Sequence, residues 1–252
     1  MLSQRQVDEY HEKGFVIPNY RLPERYLKKI SDISNKLVEE YSEFRDYCPT
    51  VLAFETGFLQ FARIQEILDM VQQILGPNFA LWNSSFFSKP AINGKATPWH
   101  QDGEYWPIRP MATCSVWLAI DEASEENGCL RYIPGSHKDQ RALEHSTNMS
   151  EELTLNQELL PSEFDESQAF SLELEAGQMA LHDSFIVHGS GVNKSSKSRR
   201  GMTLRYMPTT SVFDRKLAEK MSSKTTLGHV DRTLFLMRGF DVSGKNDFRI
   251  RR

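Results

Sequence analysis

Thr97-Pro98-Trp99-His100-Gln101-Asp102-Gly103 puts an imidazole and a carboxylate two positions apart in a segment of strand-like composition. On a strand, residues i and i+2 point to the same face, so His100 and Asp102 converge on one point. Together they make two-thirds of a facial triad, which holds Fe(II) on one side and leaves the opposite positions open. Such a pair alone is a weak signal, because most His-x-Asp pairs are ordinary surface strand pairs. The third ligand must come from elsewhere in the chain.

Around this stretch the texture is that of short strands. ALWNSSFF, ATCSVWLAI, CLRYI, FSLELE, QMALHDSFIVH and GMTLRYM are separated by turn signals at Asn93-Gly94, Asn127-Gly128, Pro134-Gly135 and Ala176-Gly177. Short strands with this punctuation predict a β-sandwich or jelly roll. Upstream, residues 1–78 read as helical. Ser3 and Gln6 have capping-box spacing, with Gly14 as a stop. Apolar residues recur at helical spacing over Leu22 to Phe44 and again over Arg63 to Leu75. Segment 138–168 is polar and predicts a long excursion. Residues 208–252 are less regular and predict a return over the core. The expectation is one domain over 1–252: helical support (1–78), β core (79–207) and a C-terminal segment (208–252).

Composition narrows the partners. At 252 residues and a net charge of −4, the chain does not suit nucleic acid or an anionic membrane as its main partner. Three cysteines without CxxC spacing make a poor disulfide framework and point to a reducing compartment. The first residues are charged and lack an apolar targeting core, so a cytoplasmic protein is expected. Oligomeric state is not legible.

His188 is placed to be the third ligand, with His182 as its competitor if that strand is regular. The residues just beyond His188 favour it. His188-Gly189-Ser190-Gly191-Val192-Asn193 is a turn leading to Arg199 and the strand beyond. A guanidinium buried there needs an anion, and its planar fork suits a carboxylate. Ser190 can add a hydroxyl to the same group. Arg200 would exchange roles with Arg199 if the turn were one residue different.

His100-x-Asp102, His188-Gly-Ser190-Gly-x-Asn193, Arg199 and the run Asn127 to His137 together resemble the phytanoyl-CoA dioxygenase (PhyH) family. The resemblance runs from about Leu81 to Tyr206. It implies a double-stranded β-helix (a cupin-like jelly roll) and an oxidoreductase that uses Fe(II), 2-oxoglutarate and O2 and releases succinate and CO2. By position it implies His100, Asp102 and His188 as iron ligands, with Arg199 and Ser190 on the distal carboxylate of 2-oxoglutarate. Asn83, Trp117 and Thr97 would line the same pocket. A lysine that some members supply upstream has no counterpart between Tyr41 and Gln60. That departure points away from phytanoyl-CoA as substrate, as does the lack of a concentrated basic surface for CoA phosphates.

The loop after Asp102 should form the rim of the open face, making Tyr105, Trp106 and Arg109 candidate substrate contacts. Retention of Asp102 favours hydroxylation over halogenation, since a halide would need the carboxylate's place. A non-catalytic metal-binding member of the fold is the competing expectation.

Overall fold

The structure, a computed structural model, describes residues 1–222 and 229–251. Its larger antiparallel sheet runs in the order Phe15–Val16, Met179–Asp183, Cys114–Ala119, Arg199–Pro208, Phe79–Lys89, Phe235–Arg238. Tyr47–Cys48 also pairs with Phe79–Lys89. The smaller sheet runs Phe170–Leu172, Leu130–Tyr132, His188–Ser190, Thr97–His100. Side chains of both sheets meet in one apolar cluster that includes Trp117, Ala180, Leu130, Tyr132 and Leu172. The result is a jelly roll with helices against one outer face.

Period-two alternation in the larger sheet decides what lies where. Cys114, Val116, Leu118, Met179, Leu181, Met202, Leu204 and Tyr206 face the helices, in a core shared with Ile30, Leu37, Ile67 and Val71. The intervening residues Trp117, His182, Thr203 and Arg205 face inward and line a cavity. These central strands are therefore buried on both sides, which explains why they read as nearly continuous apolar runs. The helices Gln4–Lys13, Glu24–Glu40 and Gln65–Leu75 supply the cover. In the first of them the Ser3/Gln6 capping box forms, and Gly14 closes it at φ 87°, a left-handed conformation glycine adopts without strain.

Two segments differ from the sequence reading. Residues 1–78 are not all helical, because Phe15–Val16 and Tyr47–Cys48 join the larger sheet. The run expected as one strand over QMALHDSFIVH is two, one in each sheet. The Asp183 carboxylate accepts the Phe185 N–H at 2.8 Å and its carbonyl accepts the Ile186 N–H, turning the chain between them. The C-terminal segment does return: Arg215–Ser222 is helical, and Phe235–Arg238 becomes an edge strand beside Phe79–Lys89. Among the described residues no helix is long and apolar enough to cross a membrane.

Candidate active site

His100 and His188 sit opposite each other on neighbouring strands of the smaller sheet. Asp102 lies just beyond the end of the Thr97–His100 strand, in a short 3-10 turn, Asp102–Tyr105. Same-face geometry survives because Gln101 between them remains extended, at φ −114° and ψ 132°. The three ligand atoms all lie within 4.8 Å of one another, and all three residues are buried.

The donor chemistry fits a divalent metal. Nδ1 of His100 donates to the Pro98 carbonyl at 2.8 Å, and Nδ1 of His188 to the Ile186 carbonyl at 3.0 Å. Each bond fixes the tautomer that leaves Nε2 with its lone pair free. Burial, reinforced by the neighbouring His100, keeps His188 neutral. Asp102 Oδ2 is buried without a hydrogen-bond partner. Burial works against the charge on Asp102, but the Arg205 guanidinium and the surrounding histidines outweigh it and hold the carboxyl well below the usual range. A buried, ionised, under-bonded carboxylate between two free imidazole nitrogens is a cation site.

His182 is near but turned to another task. Its Nδ1 pairs with the Tyr132 hydroxyl at 2.9 Å, and its Nε2 lies 3.7 Å from Asp102 Oδ2. Gln101 has the opposite orientation to the ligands it separates. Fully buried, it donates to the Phe185 carbonyl at 2.7 Å and the Arg141 carbonyl at 3.3 Å, and accepts the Leu143 N–H at 2.8 Å. It thereby ties the strand of His100 to the turn that precedes His188.

Arg199 is 2% exposed and opens on the same cavity, together with Ser190, Thr97, Asn83 and Trp117. Its Nη2 donates to the Gly128 carbonyl at 2.8 Å, while its Nε is buried and unpartnered, as is Ser190 Oγ. Burial lowers its pKa only to about 10, so it stays charged. Its guanidinium lies 5.4 Å from the Trp117 ring centre. That ring has room because residue 201 is glycine: a Cβ there would stand 2.4 Å from Trp117 Cζ2. The turn between His188 and Arg199 is pinned by Asn193, whose amide donates to the carbonyls of Lys89, Pro90 and Lys197 and accepts from Ser195.

Of the expected substrate contacts, Tyr105 and Trp106 line the cavity. Arg109 does not. It is exposed, its guanidinium folds back onto the Trp106 and Ile108 carbonyls, and its strand pairs with Val212–Phe213, which points it away. The cavity holds instead two other arginines, Arg205 and Arg232, together with Tyr47 and His229. Arg205 was open to detection, since six positions past Arg199 on one strand means the same face. Arg232 and His229 carry no such signal, because they come from the irregular C-terminal segment.

The phytanoyl-CoA dioxygenase (PhyH) family model matches residues 10–201. The chain belongs to that family. A probable phytanoyl-CoA dioxygenase of Caenorhabditis elegans is 27% identical over 82% of this chain and 75% of its own length. A probable alpha-ketoglutarate-dependent hypophosphite dioxygenase of Stutzerimonas stutzeri is 30% identical over 57% of this chain and 50% of its own. Among solved structures, the nickel complex of the non-heme monooxygenase ThoJ superposes with a TM-score of 0.71 at 22% identity, over 98% of this chain and 89% of that one. This PhyH-family chain is accordingly a dioxygenase dependent on iron and 2-oxoglutarate, and its His-Asp-His cluster fits the iron.

Proposed function

We propose that this enzyme hydroxylates an unactivated C–H bond of a small molecule while 2-oxoglutarate is converted to succinate and CO2. One atom of O2 enters the substrate and the other enters succinate, so the oxidation balances. The observation that carries this reading is one cavity that holds three converging metal donors and, further along, a buried guanidinium and hydroxyl with unused hydrogen-bonding capacity.

His100, Asp102 and His188 would hold the iron, which when bound supplies oxygen activation. Arg199 and Ser190 offer a fork and a hydroxyl to the distal carboxylate of 2-oxoglutarate, with Trp117 as an apolar wall. Thr97 lies close by on the strand that carries His100. Asn83 is the least direct of the expected co-substrate contacts, since its amide is engaged by Arg232 and Ser85. Tyr105 and Trp106 would exclude water and orient the substrate beside Asp102. Retention of Asp102 supports oxygenation rather than halogenation. Three buried, unpaired cysteines support a reducing compartment such as the cytoplasm.

Succinate release from 2-oxoglutarate, with Fe(II) and O2 each omitted in turn, is the test. Succinate that requires all three components supports the reading. A protein that binds metal but forms none with any tested substrate is a non-catalytic member. With chloride present, the product should carry oxygen and no halogen.

A further inference from the structure

Arg199, Arg205 and Arg232 are all buried around one cavity whose only carboxylate, among the described residues, is Asp102. Residues 223–228 contain no Asp or Glu either. On the function proposed above, 2-oxoglutarate and Asp102 together bring three negative charges to the iron and the three guanidiniums, so two positive charges are left over. Buried charge of this kind is retained where an opposite charge arrives to meet it.

The geometry says where that surplus sits. Arg205 stands six residues along the strand from Arg199, so their backbones are roughly 20 Å apart. Inside the cavity the Arg199 guanidinium lies against Trp117, 5.4 Å from its ring centre, and Arg205 Nε lies 3.9 Å from Asp102 Oδ2, so the distal carboxylate assigned to Arg199 is not also the partner of Arg205. Arg205 and Arg232 are instead held together. Asn83 and Ser85, on one face of the Phe79–Lys89 strand, receive Arg232 Nη1 and Arg205 Nη1 respectively, the latter at 2.7 Å. Arg232 also donates to His229 Nδ1 at 2.8 Å and to the Pro49 carbonyl at 3.2 Å. All of these acceptors are neutral. Burial and the two guanidiniums push His229 down to about 3, so it adds no charge of its own. Arg205 Nε is buried and unpartnered, with Asp102 Oδ2 3.9 Å away. The guanidiniums lie 5.2 Å and 5.7 Å from the ring centres of Trp106 and Trp82, themselves packed edge-on at 4.7 Å.

We propose that the substrate to be oxidised is a small organic oxyanion, a carboxylate or phosphonate, whose acidic group is received by Arg205 and Arg232. Its apolar part then lies along Trp106 and Tyr105, beside the metal ligands. Bidentate acceptance by paired guanidiniums suits either acid, because both present two coplanar oxygens at the fork spacing.

The test uses the whole protein loaded with Mn(II) and 2-oxoglutarate, with binding read from tryptophan fluorescence and calorimetry. The probes are 3-phenylpropionate, octanoate and phenylphosphonate, each against a neutral counterpart: the two amides and diethyl phenylphosphonate. At least one acid should bind tenfold or more tightly than its counterpart, and the phosphonate arm separates the two acid types. Arg232→Met should remove that preference at least tenfold, Arg232→Lys should restore part of it, and 2-oxoglutarate affinity should hold in both. Melting curves verify that the variants are folded, and Arg205→Lys provides a second variant if Arg232→Met is not. Equal binding of acids and neutral counterparts, or no acid binding, overturns the proposal. So does an Arg232→Met variant that loses 2-oxoglutarate and keeps the acids. Failure of 2-oxoglutarate to bind the wild type would instead count against the function proposed above, and acid binding through Arg232 would still be read directly.

Discussion

Arg199 and Arg200, adjacent in the chain, leave their strand in opposite directions. Arg200 grips Asp121 with Nε and Nη2, each at 2.8 Å, whereas Arg199 turns inward against Trp117 with its Nε unpartnered. A guanidinium already paired to a carboxylate is not available to a second one. Arg199→Ala should therefore raise the 2-oxoglutarate requirement roughly 30-fold or more, corresponding to about 2–5 kcal/mol for a desolvated charge pair. Arg200→Ala should cost at most about 1 kcal/mol of stability and leave that requirement unchanged, since its ion pair is partly exposed. Steady-state titration of 2-oxoglutarate in both variants checks this, and the reverse pattern would move the anchor by one residue.

Metal retention should separate the two inner histidines. His188→Ala removes a donor and should abolish stoichiometric Fe(II) binding. His182→Ala removes only a neighbour of the Asp102 carboxylate and should weaken binding without abolishing it. Equilibrium dialysis with Fe(II) under argon distinguishes them, and loss of the metal in His182→Ala alone would mean the ligand set is different.

Gln101 touches neither metal nor substrate, yet its replacement should be costly. Gln101→Ala leaves the Leu143 N–H and the Phe185 carbonyl buried without their partner. Each such orphan costs about 1–3 kcal/mol. Urea unfolding should show a loss in that range or above, together with weaker metal binding, because the His100 strand loses its side-chain tie to the turn that precedes His188. Unchanged stability would show that water or local collapse replaces the clamp.

Lys89 predicts a pH dependence. Burial, and secondarily the charge on Arg199, lowers its pKa from 10.5 to about 6. Between those values the unfolded chain carries a proton that the folded chain lacks, so this group makes stability rise as pH increases from about 6 toward 10.5. Below about 6 the folded chain takes the proton too, and the full cost of burying it remains. Lys89→Met should thus be more stable than the wild type at pH 7, with a flatter profile between pH 6 and 9. Parallel denaturation profiles for the two proteins would refute this.

How much of the fold and the site was legible in the chain depended on whether the signal was local. His100 and Asp102 are two residues apart and separated by an extended Gln101, so alternation alone brings them together. His188 and Ser190 share a strand for the same reason. The jelly roll was readable because Gly and Asn punctuate its turns at short intervals. Arg109 misled because proximity to Asp102 in sequence says nothing about direction after a 3-10 turn. The Arg205–Arg232 pair joins a central strand to the C-terminal segment across 27 positions, and Asn83 and Ser85 bring them together only once the sheet exists.

The Asn193 clamp has a consequence for which co-substrates can be used at all. It fixes the turn that carries the chain from the smaller sheet, with His188, to the larger, with Arg199, by holding carbonyls on both sides of it. On the proposed function, with the metal held at one end and the guanidinium receiving the distal carboxylate at the other, that turn would make the site a gauge of molecular length. A 2-oxo diacid one carbon shorter or longer would reach one end and miss the other. Loosening the clamp, as in Asn193→Ala, would blur the gauge before it stopped the reaction.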